Sequence, residues 1–229
     1  MVSTGVRFTI AIVLAGAVFL GVRQMAIGQA ERKQPIPAPL VDEAPHAKHE
    51  TAVFAGGCFW GVQSVYNRVK GVTATTAGYS GGSASTATYD QVTTETTGHA
   101  ESLKIVYDSS KISYGTLLRI FFSVVHDPTQ LNRQGPDVGT SYRSAIFYTN
   151  EEQHKVAAAY IAQLDAAHVF PKPIVTQVVP LKEFFDGEDY HQDYADKHPE
   201  NPYIQVCDVP KMAALKAQFP ELFKSYNGH

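Results

Sequence analysis

The sequence predicts an α+β fold, a two-layer sandwich in which helices cover a mixed sheet. Short β-prone runs and segments of helical periodicity are interspersed from residue 51 onward, an order typical of such sandwiches. The chain has 229 residues, of which 44% are hydrophobic, and this is enough to bury one sizeable core. The sequence shows no internal repeat, so we expect one compact domain at 51–229.

Each element is predicted from a local pattern. Strands are expected where apolar residues alternate or form short β-prone runs, at 51–55, 103–107, 145–148 and within 171–180. Helices are expected where apolar residues recur every three or four positions, at 59–69, 113–125, 150–168 and 211–223. Asn150 is the predicted N-cap of the third helix. Loops are expected in the Gly, Ser and Thr-rich segment 73–87 and in the polar segment 127–141.

The first thirty residues have the layout of a secretory signal peptide. A short positive start ends at Arg7, an uncharged apolar run follows at 8–22, and Gly28 and Ala30 supply small residues for cleavage after Ala30. A fifteen-residue helix reaches about 22 Å, less than the ~30 Å hydrocarbon core of a bilayer. We therefore expect export, to a bacterial periplasm, with an uncleaved inner-membrane anchor as the alternative.

Residues 31–50 are predicted to form a semi-rigid linker, because they contain four prolines and lack apolar periodicity. His46 and His49 have a spacing that suits a metal on a helix. No further ligand lies nearby in the sequence, so a solvated linker is the favoured interpretation.

The composition excludes several classes of protein. Lys and Arg number 19 against 22 Asp and Glu, giving a net charge of −3, so there is no basic surplus for nucleic-acid binding. Two cysteines are too few for a disulfide-dense scaffold or a four-thiolate zinc site.

The segment GGCFWG at 56–61 combines groups that suit a reactive thiol. The two glycines permit a tight turn and close approach of a ligand to the backbone. Cys58 is expected at the N-terminus of the helix, where the helix dipole would lower its pKa. Phe59 and Trp60 could wall an apolar pocket beside it. A buried cysteine among core aromatics is an equally weighted alternative.

The same segment resembles the active-site signature of the peptide methionine sulfoxide reductase A family. Further stretches agree with that family in order along 51–203, namely GYSGG at 78–82, GHAE at 98–101, HDPTQ at 126–130, YRS at 142–144 and YHQDY at 190–194. The resemblance implies a ferredoxin-like core and reduction of methionine (S)-sulfoxide, free or within proteins, to methionine. It implies no metal or organic cofactor and an external, thioredoxin-like thiol reductant.

The resemblance also implies roles for particular residues. Cys58 matches the nucleophile, which becomes a sulfenic acid, and Phe59 and Trp60 match the aromatic walls around the substrate methyl group. Asp137 matches a residue that contacts the substrate backbone, although an Asp in a Gly/Pro loop commonly serves turn geometry.

Three further residues match the groups that act on the sulfoxide oxygen. Glu101 corresponds to the acid that protonates this oxygen, and Tyr89 and Tyr142 correspond to hydroxyls that hold it. A carboxylic acid with a raised pKa and two phenol donors suits a poor leaving oxygen. Each residue also has an ordinary structural interpretation, as a solvated acid or as a packed tyrosine.

The second cysteine departs from the family pattern. Cys207 falls about three residues beyond the usual place of a resolving cysteine, at the end of the strand-like run YIQVC. The sequence leaves three roles open for it: a resolving thiol, an inert packed thiol, or one half of a static disulfide with Cys58.

Two other functions remain open at this point. A cysteine hydrolase or acyltransferase would need His126, His191 or His198 as the base beside Cys58. A binding module would recognise methionine or its sulfoxide without turnover. For the favoured reductase we expect a monomer whose partners are oxidised proteins and a thioredoxin-fold reductant.

Overall fold

The computed structural model describes residues 35–44 and 49–226. The predicted signal peptide at 1–30 and His46 lie outside these residues. Within the described part of the chain, no helix has the length and apolar character needed to span a membrane.

The elements follow one another as strands and helices in mixed order. The strands are β1 Glu50–Gly56, β2 Val72–Ser80, β3 Ala100–Tyr107, β4 Arg133–Gln134, β5 Asp137–Val138, β6 Ser144–Tyr148, β7 Gln177–Pro180 and β8 Phe184–Asp186. The α-helices are α1 Phe59–Asn67, α2 Tyr89–Val92, α3 Tyr114–Ile120, α4 Glu151–Ala166, α5 Tyr194–Lys197, α6 Pro202–Cys207 and α7 Val209–Gln218. Short 3₁₀ turns lie at Ala84–Thr86, Thr140–Tyr142 and Asp189–His191, and a π-helical turn, Phe121–Val125, extends α3.

Six strands form one mixed sheet in the order β7-β6-β1-β3-β2-β8. Strand β1 is antiparallel to both β3 and β6, β2 is antiparallel to β3, and β7 joins β6 in parallel. The inner four strands, with α1 between β1 and β2 and α3 between β3 and β6, form a ferredoxin-like core. The predicted α+β class with a mixed sheet is confirmed.

Alternation along β1 divides its side chains between two faces of the sheet. Phe54 joins the large core beneath α1 and α3, whereas Val53 and Ala55 join a small apolar cluster on the other face. The main core is therefore between the sheet and the helices, and Cys58 lies at its edge.

The prediction of a loop over 73–87 was wrong for its first half, which is strand β2. This strand pairs with β3 from Val72 to Ser80, and its last four residues are buried. Gly78 is needed there for packing, since a Cβ on it would lie 2.1 Å from the carbonyl oxygen of Phe185 in β8. The glycine and threonine content thus signalled close strand packing, not irregular chain.

The strand-like run that ends in Cys207 is a helix, α6. The Asn201 side chain accepts a hydrogen bond from the Tyr203 N–H, and Pro202 occupies the first helical turn. These two local signals favour a helix start more strongly than the short apolar alternation favours a strand. The last helix, α7, begins at Val209, two residues earlier than predicted.

The middle of the predicted linker packs against the domain. In segment 35–44, Ile36 is 2% exposed, and the Tyr160 hydroxyl donates a 2.6 Å hydrogen bond to the Pro37 carbonyl. The Asp42 carboxylate accepts hydrogen bonds at the N-terminus of α3. This part of the chain is therefore a strap across α3 and α4, packed against the domain within the segment predicted as a semi-rigid linker.

Candidate active site

Cys58 lies at the turn between β1 and α1, where the sequence predicts it. Gly57 has φ +89°, and Cys58 occupies the N-cap position of α1 with φ −52° and ψ 121°. A Cβ on Gly57 would lie 2.6 Å from Cβ of Gln134, so the β4–β5 hairpin packs directly over this turn. Cys58 is 8% exposed, so its sulfur sits at the floor of a covered site.

Glu101 is attached to the same turn by a hydrogen bond. Its Oε2 accepts a 2.9 Å hydrogen bond from the backbone N–H of Phe59, and its side chain is buried. Burial is the main cause that raises the pKa of Glu101 to about 8; the nearby Asp137 carboxylate also raises the pKa, and the Phe59 hydrogen bond opposes both. The carboxyl group is therefore mostly protonated at neutral pH and can donate a proton.

The expected lowering of the Cys58 pKa is wrong for the resting structure. Burial raises the pKa of the Cys58 thiol well above its usual value, and the carboxyl groups of Glu101, Asp208 and Asp137 raise it further. A hydrogen bond from the backbone N–H of Trp60 lowers the pKa of Cys58, but by less than burial and the carboxyl groups raise it. The resting site thus holds a protonated thiol, because burial outweighs the favourable end of α1.

Phe59 and Trp60 belong to a cluster of stacked rings. The Trp60 indole stacks on Tyr194 at 3.9 Å between ring centroids, and its Nε1 donates a 3.1 Å hydrogen bond to Nδ1 of His191. Tyr203 meets Trp60 edge-on at 6.1 Å. Phe59 is buried, with the His191 ring 4.9 Å away. These contacts fix the aromatic wall beside Cys58.

The hydroxyls of Tyr89 and Tyr142 both interact electrostatically with Cys58 and Glu101. Burial raises the pKa of both hydroxyls, and the neighbouring ionisable groups of Glu101 and Cys58 raise it further. The Tyr89 ring centroid is 4.6 Å from that of His191. Both phenols therefore stay protonated and can donate hydrogen bonds at this site.

Asp137 reaches the site from β5, and Tyr203 already engages its carboxylate. The Tyr203 hydroxyl donates a 2.5 Å hydrogen bond to Oδ2 of Asp137. Burial raises the pKa of Asp137, while the Tyr203 hydrogen bond lowers it. The hairpin and α6 are thus joined above Cys58.

Cys207 is the last residue of α6. Cys58 and Cys207 are both free thiols in the structure, so the static disulfide is not formed there. Burial raises the pKa of Cys207 to about 11. Tyr203 and Cys207 are four residues apart in one helix, so their side chains leave it on the same face.

The three histidines considered as hydrolase bases have other contacts. Nδ1 of His126 bonds the Phe121 carbonyl at 3.1 Å, Nδ1 of His191 accepts from Trp60, and Nδ1 of His198 lies 3.7 Å from Glu200. Each of these rings therefore has a partner other than Cys58.

Sequence reasoning missed His191 as a support of the aromatic wall, and it missed a buried ion pair. Asp208 is 0% exposed, and its Oδ1 lies 3.1 Å from Nζ of Lys211. The one feature of the sequence that could have indicated this ion pair is Gly61, the last glycine of GGCFWG. A small residue in a helix often marks a place where another segment packs closely against it. Across residues 35–44 and 49–226, no group of three or more His, Cys, Asp and Glu side chains is placed to hold a metal ion.

A buried thiol at a helix start, beside a protonated carboxyl group and an aromatic wall, defines a thiol-dependent oxidoreductase on a ferredoxin-like fold. Residues 50–222 match the family model described as peptide methionine sulfoxide reductase. The chain belongs to this family, and its activity is the thiol-dependent reduction of methionine sulfoxide. The resemblance seen in the sequence is confirmed.

Relatives and solved structures agree with this assignment. The chain is 53% identical over 183 residues to peptide methionine sulfoxide reductase MsrA 2 of Mesorhizobium japonicum, covering 80% of this chain and 94% of the relative. It is 49% identical over 194 residues to MsrA 2 of Synechocystis sp., with 83% and 91% covered. Reduced Mxr1 from Saccharomyces cerevisiae superposes with a TM-score of 0.62 at 31% identity, covering 73% of this chain and 95% of Mxr1. Methionine sulfoxide reductase A of Corynebacterium diphtheriae gives 0.59 at 31% identity, with 73% and 88% covered.

Proposed function

We propose that Cys58 is the nucleophile and Glu101 the acid in reduction of the S epimer of methionine sulfoxide. One observation carries this proposal: the Glu101 carboxyl accepts the Phe59 N–H at 2.9 Å, one residue from Cys58, and burial raises its pKa to about 8. An acid that is protonated at neutral pH is thereby fixed beside the thiol.

The reaction balances with these two groups and one water. Glu101 gives its proton to the sulfoxide oxygen while the Cys58 sulfur attacks the sulfoxide sulfur, and the thiol proton passes to the Glu101 carboxylate. Glu101 protonates the oxygen a second time, the sulfur–oxygen bond of the substrate breaks, water leaves, and the substrate sulfur stays bonded to Cys58 as a sulfonium. Water then attacks the Cys58 sulfur and gives its proton to the Glu101 carboxylate, the sulfur–sulfur bond breaks, the thioether leaves, and Cys58 becomes a sulfenic acid. The hydroxyls of Tyr89 and Tyr142 hydrogen-bond the oxygen as it gains charge.

The substrate side chain lies against the aromatic wall. Phe59 and Trp60 contact the terminal methyl group, and Asp137 contacts the backbone of a peptide substrate. Trp60 is fixed by Tyr194 and His191, which supports a rigid methyl subsite. Selection of the S epimer follows because methyl and oxygen occupy separate, fixed places.

Regeneration of Cys58 requires thiols. Cys207 attacks the sulfenic acid, forming a disulfide with Cys58 and releasing water, and a thioredoxin-fold dithiol then reduces that disulfide. The position of Cys207 on the Tyr203 face of α6 supports this role, since Tyr203 contacts Trp60 beside the site.

The enzyme acts as a monomer on oxidised proteins outside the cytoplasm, in a bacterial periplasm. The layout of residues 1–30 supports export, with an uncleaved inner-membrane anchor as the alternative. Cell fractionation with N-terminal sequencing of the recovered protein tests both: a protein that begins at Glu31 in the periplasmic fraction is expected. An intact, cytoplasmic chain would contradict the proposal.

Turnover of separated epimers tests the chemistry. Dithiothreitol drives reduction of a peptide that contains one S or R methionine sulfoxide, with the wild type compared with Cys58→Ser and Cys207→Ser. We expect S-epimer turnover that only Cys58→Ser abolishes, and a Cys58–Cys207 disulfide after one turnover without reductant. A persistent sulfenic acid in the wild type would contradict the role of Cys207. Full activity of a folded Cys58→Ser variant would contradict the mechanism itself.

A further inference from the structure

A buried ion pair joins the start of α7 to the active-site helix. The Asp208 side chain is 0% exposed, that of Lys211 is 13% exposed, and Oδ1 of Asp208 lies 3.1 Å from Nζ of Lys211. Within the described residues, Oδ2 of Asp208 is buried and has no hydrogen-bond partner. Burying an ion pair costs desolvation free energy, and a function at this position would account for that cost.

Gly61 makes room for this pair against the first turn of α1. A Cβ at Gly61 would lie 2.0 Å from Oδ1 of Asp208 and 2.9 Å from Nζ of Lys211. Any larger residue would displace one of the two charged groups. Since Gly61 follows Cys58 by three residues in the same helix start, the ion pair is held in the wall next to the thiol.

Carboxyl groups are prominent among the ionisable groups near Cys58. Glu101 on β3, Asp137 on β5 and Asp208 between α6 and α7 all interact electrostatically with its sulfur. The Tyr89, Tyr142 and Tyr203 hydroxyls also face it. The ammonium of Lys211 interacts with the sulfurs of both Cys58 and Cys207.

We propose that Lys211, held by Asp208 and seated on Gly61, is the positioning residue that supplies the counter-charge for the Cys58 thiolate as it forms. The proposal rests on the assignment of Cys58 as the nucleophile. When the sulfur gives up its proton, negative charge develops among buried carboxyl groups, and the ammonium offsets it. The Asp208 side chain positions the ammonium, because its Oδ1 accepts a 3.1 Å hydrogen bond from Nζ of Lys211. The same ammonium serves Cys207 when that thiol attacks.

Alkylation of Cys58 by iodoacetamide measures this charge without any sulfoxide. In a Cys207→Ser background Cys58 is the remaining thiol, and its alkylation rate between pH 6 and 10 reports its ionisation. We expect Lys211→Met to move the midpoint up and slow alkylation at pH 8 about tenfold, as for one pKa unit. Lys211→Arg should restore the wild-type profile, and Lys216→Met, an exposed lysine on the same helix, should leave it unchanged.

The sign of the effect separates a charge from a packing role. Asp208→Asn removes a negative charge near the sulfur, while its amide oxygen still accepts the Lys211 hydrogen bond and keeps the ammonium in place. We therefore expect it to move the midpoint down, opposite to Lys211→Met. Shifts of both variants in one direction, or no shift in a folded Lys211→Met protein, would overturn the proposal. If Lys211→Met does not fold, Asp208→Asn compared with Asp208→Asn/Lys211→Met isolates the ammonium, and equal profiles would overturn it. A wild type that alkylates as expected but reduces no sulfoxide would defeat the proposed function alone.

Discussion

Oε2 of Glu101 accepts a 2.9 Å hydrogen bond from the backbone N–H of Phe59. This bond joins the acid on β3 to the helix start that carries Cys58. The sheet brings the two together, because β1 and β3 are adjacent antiparallel strands and Phe54 pairs with Leu103. The proposed proton donor and the proposed nucleophile are thus held together by one local contact between residues 42 positions apart in sequence.

Replacing Glu101 by Gln should remove the proton donor and keep the shape of the side chain. We expect the single-turnover rate to fall by about 10²–10⁴-fold, the usual contribution of a positioned acid. Rapid-quench kinetics on the S-epimer peptide measure it, with Glu183→Gln, an exposed acid, as the control. A Glu101→Gln rate within tenfold of wild type would rule out Glu101 as the acid.

The chemical step should slow as pH rises through about 8. Burial raises the pKa of Glu101 to about 8, so the active acid form is present below that pH and is lost above it. Because the Asp137 carboxylate helps to raise this pKa, Asp137→Asn should move the fall to lower pH. Single-turnover rates from pH 6 to 10 test both statements, and a rate that is flat across pH 8 would contradict them.

Replacing Tyr142 by Phe should remove one of the two hydroxyls at the oxygen site. We expect the single-turnover rate to fall about 10- to 100-fold, since a hydrogen bond to a charged group contributes about 1.5–3 kcal/mol. Tyr148→Phe on the neighbouring strand β6 is the control. A Tyr142→Phe enzyme with an unchanged rate and a raised KM would show that the hydroxyl only binds substrate.

Replacing Gly61 by Ala should destabilise the protein. In an exposed helix this change stabilises by about 1 kcal/mol, because alanine has the higher helix propensity. Here the added Cβ would lie 2.0 Å from Oδ1 of Asp208, so the buried ion pair must move. Thermal unfolding monitored by circular dichroism should show a lower Tm. A higher Tm would mean that Asp208 and Lys211 can shift to accommodate the added Cβ without loss of stability.

Shortening Ile36 should loosen the strap from the domain. Ile36 is 2% exposed, and removing a buried side chain of this size costs about 2–5 kcal/mol. Leu40 lies in the same strap but is 86% exposed, so Leu40→Ala should change stability by less than about 0.5 kcal/mol. Urea unfolding of Ile36→Ala and Leu40→Ala compares them, and equal midpoints would show that the strap does not contribute to stability.

Local patterns in the sequence predicted much of the fold. The turn at Cys58, the cap at Asn150 and the strand at 145–148 depend on glycines, capping oxygens and apolar runs that act over a few residues. The residues of the candidate site came from the family resemblance, and their grouping around Cys58 came from the structure. The loop expected at 73–87 failed because pairing partners on β3 and β8, far along the chain, decide whether a Thr- and Gly-rich segment is a strand.

The sequence by itself therefore determined the fold class, the family and the position of the candidate cysteine at the turn before α1, since these depend on short motifs and their order. The tertiary structure alone decided the ionisation of the site and the strap. The pKa of Cys58 depends on carboxyl groups from β3, β5 and the start of α7, and burial among them reverses the effect expected from the helix dipole. Burial and charge proximity arise only when distant segments pack together, so no local pattern encodes them.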